Sequence, residues 1–212
     1  MVREVKQYYE IIKELPIFVT MKGSAAISLA IAVLLSMNGP GAAAGERYLG
    51  AYNSLKGLGL SAAFKSADGT AMTFVNLYAD MFGVFSGRTG DVGIAASCTR
   101  DYVIAFADFG YSYLALHAGP GVFAGYVHDY ERHFFSSEGQ TYKNMGFVAA
   151  LSGNIGLTAD FFNHRMSVDI SLCVNPGVHI RKDRESDALL LALYKRGLYY
   201  CLTPQLCLYY RF

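Results

Sequence analysis

The chain has 212 residues, 53% of them hydrophobic and only 17% charged, with 18 basic against 17 acidic side chains. A soluble domain usually carries about 25% charged residues and a nucleic-acid binder shows a basic field, so neither class fits. The chain is also too apolar to be disordered, which leaves one ordered domain with much greasy surface to place.

Residues 1–20, "MVREVKQYYEIIKELPIFVT", read as a short amphipathic helix ending near Pro16, with Tyr8, Ile11, Ile12 and Leu15 on one side. From Met21, a positive start at Lys22, an apolar run from Ala25 to Met37 and the small residues Ala42, Ala43 and Ala44 follow the order of a secretory signal peptide. The run falls short of the ~20 residues that a spanning helix requires. This divides the chain into an N-terminal extension (1–20), a signal peptide (21–44) and a main domain (45–212), with Met21 as the expected start of translation. The alternative is a cytoplasmic helix followed by one membrane anchor.

Beyond Gly45 the period is two rather than 3.6, as in strands. Expected strands cover about 47–65, 70–86, 91–105, 110–129, 145–161, 165–181, 187–195 and 198–212. In "TFVNLYADMF", Val75 and Leu77 oppose Asn76, Tyr78 and Asp80. The stretch 92–106 changes phase near Arg100, which predicts a bulge there. In "YSYLALHAGPGVFAGY", Leu114, Leu116 and Val122 oppose Tyr113, His117 and the glycines. "MGFVAALSGNIGLTADF" sets Phe147, Leu151, Ile155 and Leu157 against Ser152, Asn154, Thr158 and Asp160. "MSVDISLCVNPGVHIR" does the same, and "FNHR" between the two is a tight-turn composition. At the end of the chain, Leu206, Leu208, Tyr210 and Phe212 share one face.

Such strands suit a sandwich with a buried apolar face or a membrane barrel whose apolar face meets lipid. The strands are long, and the second face holds Gly, Ser, Asn, Asp and Tyr instead of a Lys/Glu coat, so the barrel is the better reading. Closure also pairs every backbone group, which hydrocarbon demands. The expected fold is all-β, an antiparallel up-and-down transmembrane barrel of eight strands. It has ten if 47–55 and 58–66 are separate strands joined at Lys56-Gly57. With eight and a periplasmic N-terminus, the long polar link 131–143 falls on the periplasmic side and the tight turns outside, the reverse of the usual arrangement. Ten would invert this.

The terminal "LCLYYRF", a final aromatic after alternating apolar residues, resembles the C-terminal signature of outer-membrane β-barrels. Residues 46–212 resemble small eight-stranded barrels of the OmpA/OmpX type, with a Bacteroidetes flavour. The resemblance implies location in the bacterial outer membrane and contact with its lipid. It also implies recognition of Leu206, Leu208, Tyr210 and Phe212 by the barrel-assembly machinery, and pairing of the last strand with the first.

The expected lumen is packed with polar side chains: Asn76, Asp80, His117, Asn154, Asp160, Asp169, Asn175, His179 and Arg181. An eight-stranded interior is just wide enough for side chains to fill. No phosphate loop, H-E-x-x-H or G-x-S-x-G is present. Ser171 and His179 stand roughly 26 Å apart along one strand, too far to touch. "HDYERH" offers His128, Asp129, Glu131 and His133, yet at a strand-to-loop boundary where solvated polar residues are expected anyway. Cys98, Cys173, Cys201 and Cys207 show no metal spacing and read as small wall residues, one disulfide staying open. The expected role is structural or surface-interacting, by a monomer without catalytic residues, cofactor, metal or nucleic-acid partner. The alternatives are a lipid-modifying barrel enzyme and a small-solute channel. A binding role would use loops 131–143 and 182–187.

Overall fold

The computed structural model describes residues 45–85, 91–131, 142–182, 189–199 and 203–212. The N-terminal extension and the signal peptide lie outside the described residues, as do Cys201 and most of the loops 131–143 and 182–187. The elements run β1 (Arg47–Ser54), β2 (Gly57–Lys65), β3 (Ala71–Asp80), α1 (Phe82–Phe85), β4 (Gly93–Asp108), β5 (Tyr113–Glu131) and β6 (Tyr142–Phe161). They continue with β7 (Met166–Val174), β8 (Gly177–Lys182), β9 (Leu189–Leu193), α2 (Lys195–Tyr199) and β10 (Gln205–Arg211).

Neighbouring strands pair antiparallel from β1 to β7, β10 joins β7 to β1, and β8–β9 extends the sheet from β6. The result is a closed barrel of eight staves. Its seventh stave is β7 and β8 in series, both against β6. Its eighth is β9 and β10, with α2 set between them. Asn175-Pro176 explains the first break, since proline has no N–H for the ladder. The backbone there stays paired: Leu151 N–H donates to the Pro176 carbonyl at 3.0 Å, and Asn175 N–H to that of Gly197 at 2.9 Å.

Three expectations about the strands need correction. The stretch 47–65 is a hairpin, turning where Ser54 Oγ accepts the N–H groups of Lys56 and Gly57 at 3.2 Å each. The expected strands 187–195 and 198–212 are two pieces of one stave. Eight thus stands as the count of staves, with one expected strand split and two merged. The bulge falls at Ile104 instead of near Arg100, between the pairs Val103–His117 and Ala105–Leu116.

Splitting the first strand also resolves the loop pattern. The turns 66–70, 109–112 and 162–165 share one end with Arg47 and Phe212; the two-residue turn 55–56 and the strand ends that lead into 81–92, 132–141 and 183–188 lie at the other. Gly69 (φ 70°) and Gly110 (φ 81°) supply left-handed positions in two of these turns. In the first, the Ser66 hydroxyl and the N–H and hydroxyl of Thr70 donate to Asp68, holding its carboxyl down to about 2. That cap therefore stays charged in mild acid and loosens only as pH falls through that value. The third turn places Phe162, Asn163 and His164 all at positive φ, a region that asparagine and histidine enter more readily than the bulky phenylalanine.

Alternation sorts the faces. Along β7, Ser167, Asp169, Ser171 and Cys173 are buried inward, while Met166, Ile170 and Leu172 stand exposed outward. The lumen is filled by aromatic rings as well as polar groups, among them Tyr48, Tyr52, Phe74, Tyr78, Phe123, Tyr194 and Tyr209. Tyr52 and Tyr78 stack at 4.6 Å. The outer face is apolar: Leu151 is 69% exposed and Ile170 51%. Eight exposed aromatics lie toward the short-turn end, namely Tyr102, Phe106, Phe109, Tyr111, Phe161, Phe162, Tyr210 and Phe212, against Phe85, Tyr126 and Phe147 toward the other.

Candidate functional site

The inward faces of β4, β5, β6 and β7 converge on one imidazole. His117 Nδ1 lies 2.6 Å from Asp101 Oδ2, and its Nε2 lies 2.8 Å from Asp169 Oδ1, with the ring wholly buried. An ionised carboxylate only accepts hydrogen bonds, so both contacts form with charged partners only when the ring carries both protons. Asn154 Nδ2 donates to Asp101 Oδ2 at 2.6 Å, and Thr158 Oγ1 to Asp169 Oδ1 at 2.9 Å. Phe74 covers the ring at a centroid distance of 5.1 Å. Gly156 makes the room, since a Cβ there would meet His117 Cε1 at 2.6 Å and Ser171 Cβ at 2.7 Å.

Further buried groups pair above and below this clamp. Toward the long-link end, Lys56 Nζ donates to the Tyr194 hydroxyl at 2.7 Å, lies 3.8 Å from Asp80 Oδ2, and sits 4.8 Å from the Phe123 ring centre. Toward the short-turn end, Lys65 Nζ lies 3.8 Å from Asp160 Oδ2 and 4.2 Å from the Tyr113 ring centre, and His164 Nδ1 stands 3.3 Å from the same carboxylate. Beside the clamp, Ser61 Oγ donates to Asn76 Oδ1 at 2.5 Å and lies 2.6 Å from the Tyr209 hydroxyl, while Asn76 Nδ2 donates to Ser97 at 3.2 Å. Asn175 Oδ1 accepts from Ser152 at 2.5 Å. Glu46 pairs with Arg211 at the seam, where it also accepts from the Tyr48 hydroxyl at 2.7 Å.

The structure brings His117, Asn154 and Asp169 together and distributes the other expected polar residues. Asn76, Asp80, Asp160 and Asn175 belong to the satellite clusters, His179 packs edge-on against Tyr194 at 6.0 Å, and Arg181 is half-buried on β8. Asp101, Lys56, Lys65, Thr158, Tyr194 and Tyr209 complete the network without having been singled out from the sequence. Asp101 was obscured by placing the bulge before it; with the bulge at Ile104, it continues the inward series Ala95, Ser97, Thr99. Leu206, Leu208, Tyr210 and Phe212 are all exposed on the outer face. Ser171 and His179 lie on β7 and β8, and the imidazole beside Ser171 is that of His117. Cys98, Cys173 and Cys207 are free thiols. His128 Nδ1 lies 4.0 Å from Asp91, and the other side chains of "HDYERH" fall outside the described ones. Among the described residues, no three His, Cys, Asp or Glu side chains form a metal cluster.

These contacts cross the lumen and fill it. Beside the clamp, a cavity of about 10 Å³ touches Thr99, Asn154, Asp169, Ser171 and Tyr209. That is space for roughly one water molecule. The arrangement can tie opposite walls together through hydrogen bonds between buried polar groups.

No protein-family model matches the chain, and no curated protein does. Among solved structures it is similar to a major outer membrane protein from Thermus thermophilus, at 13% identity and a TM-score of 0.42. The match covers 80% of this chain and all of the other.

Proposed function

We propose that this chain is a bacterial outer-membrane barrel of the small OmpA/OmpX type, acting as a structural or surface-interaction protein with a closed lumen. The observation that carries the reading is the inversion of its surface: charge and hydroxyls lie inside, while leucine, isoleucine and aromatic side chains are bare on the outside. In water, so large a greasy exterior would drive association; in lipid it is the expected face of a barrel. The aromatics at the short-turn end suit a membrane–water boundary. The short turns then face the periplasm and the long links the exterior. Leu206, Leu208, Tyr210 and Phe212 are offered to the barrel-assembly machinery on the outer side of the closing stave.

Spin labels at Leu151 and Ile170 test the location. In liposomes both should relax strongly with dissolved oxygen and weakly with a water-soluble nickel chelate. The opposite pattern would place those positions against protein or water and end the membrane reading. A planar bilayer should show no large, steady conductance, and one that recurs would overturn the closed lumen. Deleting Phe212 should reduce the heat-modifiable folded band in outer-membrane fractions without reducing total synthesis.

A further inference from the structure

The clamp and the cavity beside it share Asp169, and the clamp carries an unbalanced charge. Each of the two hydrogen bonds at the His117 ring contains one proton. A ring stripped of both protons and two carboxylates sum to three negative charges, and the two protons bring that to one. The sum is the same for a doubly protonated ring between two carboxylates and for a neutral ring with one carboxylic acid. The two inward lysines do not offset it, since Lys56 faces Asp80 and Lys65 faces Asp160. A net charge buried without a counter-charge is costly.

The cavity is lined with oxygen. Thr99 borders it at 3% exposure, and its Oγ1 has no hydrogen-bond partner among the described residues. Asp169 uses Oδ1 for both His117 and Thr158, which leaves Oδ2, and Asn154 gives Nδ2 to Asp101, which leaves its carbonyl oxygen. Ser171 adds a second hydroxyl. Carboxylate, amide and hydroxyl oxygens are donors for a hard cation. We propose that this cavity binds one sodium ion, held by Thr99, Asn154, Asp169 and Ser171, as the counter-charge of the clamp. Magnesium keeps waters of its own and calcium takes about six to eight oxygens, and either would turn the imbalance to one positive charge. A water molecule would satisfy Thr99 but leave the charge. A third proton on a clamp carboxyl would cancel the charge but leave the Thr99 hydroxyl without a partner. One small monovalent cation answers both. The site lies inside the wall, so it does not depend on the membrane reading.

The test refolds the full chain in detergent micelles at constant ionic strength, with sodium chloride replaced stepwise by choline chloride, whose cation is too large for the cavity. Urea titration followed by circular dichroism reads the folded-to-unfolded ratio. Above the dissociation constant, each tenfold rise in sodium should raise that ratio about tenfold, as for one ligand bound by the folded state alone. Thr99→Val keeps the shape of the side chain and removes its oxygen. In choline the variant should be at least as stable as wild type, because an unpartnered buried hydroxyl is a cost. In sodium it should be the less stable of the two, its response displaced to about tenfold higher concentration, as loss of one contact to a charged group implies. Equal stability of the wild-type barrel in sodium and in choline overturns the proposal, whether or not the variant folds. A sodium response that Thr99→Val leaves in place puts the ion elsewhere and also overturns it. The expected response in a wild-type chain whose band is indifferent to heat upholds the site and counts against the membrane reading alone.

Discussion

Replacing His117 with alanine should destabilise the folded barrel by about 3–5 kcal/mol, the range for removing one partner from a buried charged group. The variant leaves Asp101 and Asp169 facing each other across a closed lumen without the imidazole between them. Asn154 and Thr158 supply single hydrogen bonds, which cannot replace a ring bonded to both carboxyl groups. The remedy is specific. Adding Asp101→Asn and Asp169→Asn to His117→Ala should recover at least half of the loss, because neutral amides do not repel. The chain has no tryptophan, so urea titrations followed by circular dichroism and by the gel-shifted folded band are the suitable measurements. A His117→Ala barrel as stable as wild type would show that the three groups do not act as a clamp.

Gly156→Ala should cost about 2–3 kcal/mol, although it adds only one methyl group. A Cβ at that position lies 2.6 Å from His117 Cε1, 2.9 Å from Nε2 and 2.7 Å from Ser171 Cβ. The serine is fixed to a central stave and the ring is held at both nitrogens, so neither yields cheaply. Overpacking of this kind typically costs 1–3 kcal/mol, and displacing the ring lengthens its bonds as well. The cost should shrink by about half in the His117→Ala background, where the ring contacts are gone and only the contact with Ser171 Cβ remains. Additive losses in that double-mutant cycle would mean that Gly156 serves the backbone instead of the imidazole.

How much was legible depended on contrast between the faces. β6 and β7 put leucine and isoleucine on one side and serine, asparagine and aspartate on the other, so their staves and inward residues could be read directly. The first hairpin lacks that contrast: its inward face after the turn is Gly57, Gly59, Ser61 and Ala63, and its outer face is equally small in places. The turn at Lys56-Gly57 is legible against such a background only as an alternative, the one that separates 47–55 from 58–66, and the structure has it. The last stave differs for another reason, since α2 interrupts it and only the long-range pairings of β9 with β8 and of β10 with β7 show its two pieces to be one. Tyrosine suits either face of a barrel, which is why Tyr194 is not assignable to the lumen from the sequence, whereas alternation with Leu208 and Tyr210 already turns Tyr209 inward. Lys56 and Lys65 sit next to turns, where lysine ordinarily reads as solvated. Only the closed wall brings each within reach of a buried aspartate.

The Glu46–Arg211 pair and the bond from Phe212 N–H to the Arg47 carbonyl at 3.3 Å join two ends of the wall that lie far apart in sequence. Loop-closure entropy must be met before those contacts contribute anything, and such high contact order predicts slow folding. Until that zipper engages, β1 and β10 each present a bare ladder to the surroundings, so a partly formed sheet is the species most exposed to mispairing. A catalyst that shields both ladders at once would therefore accelerate folding more than one that only gathers the hairpins.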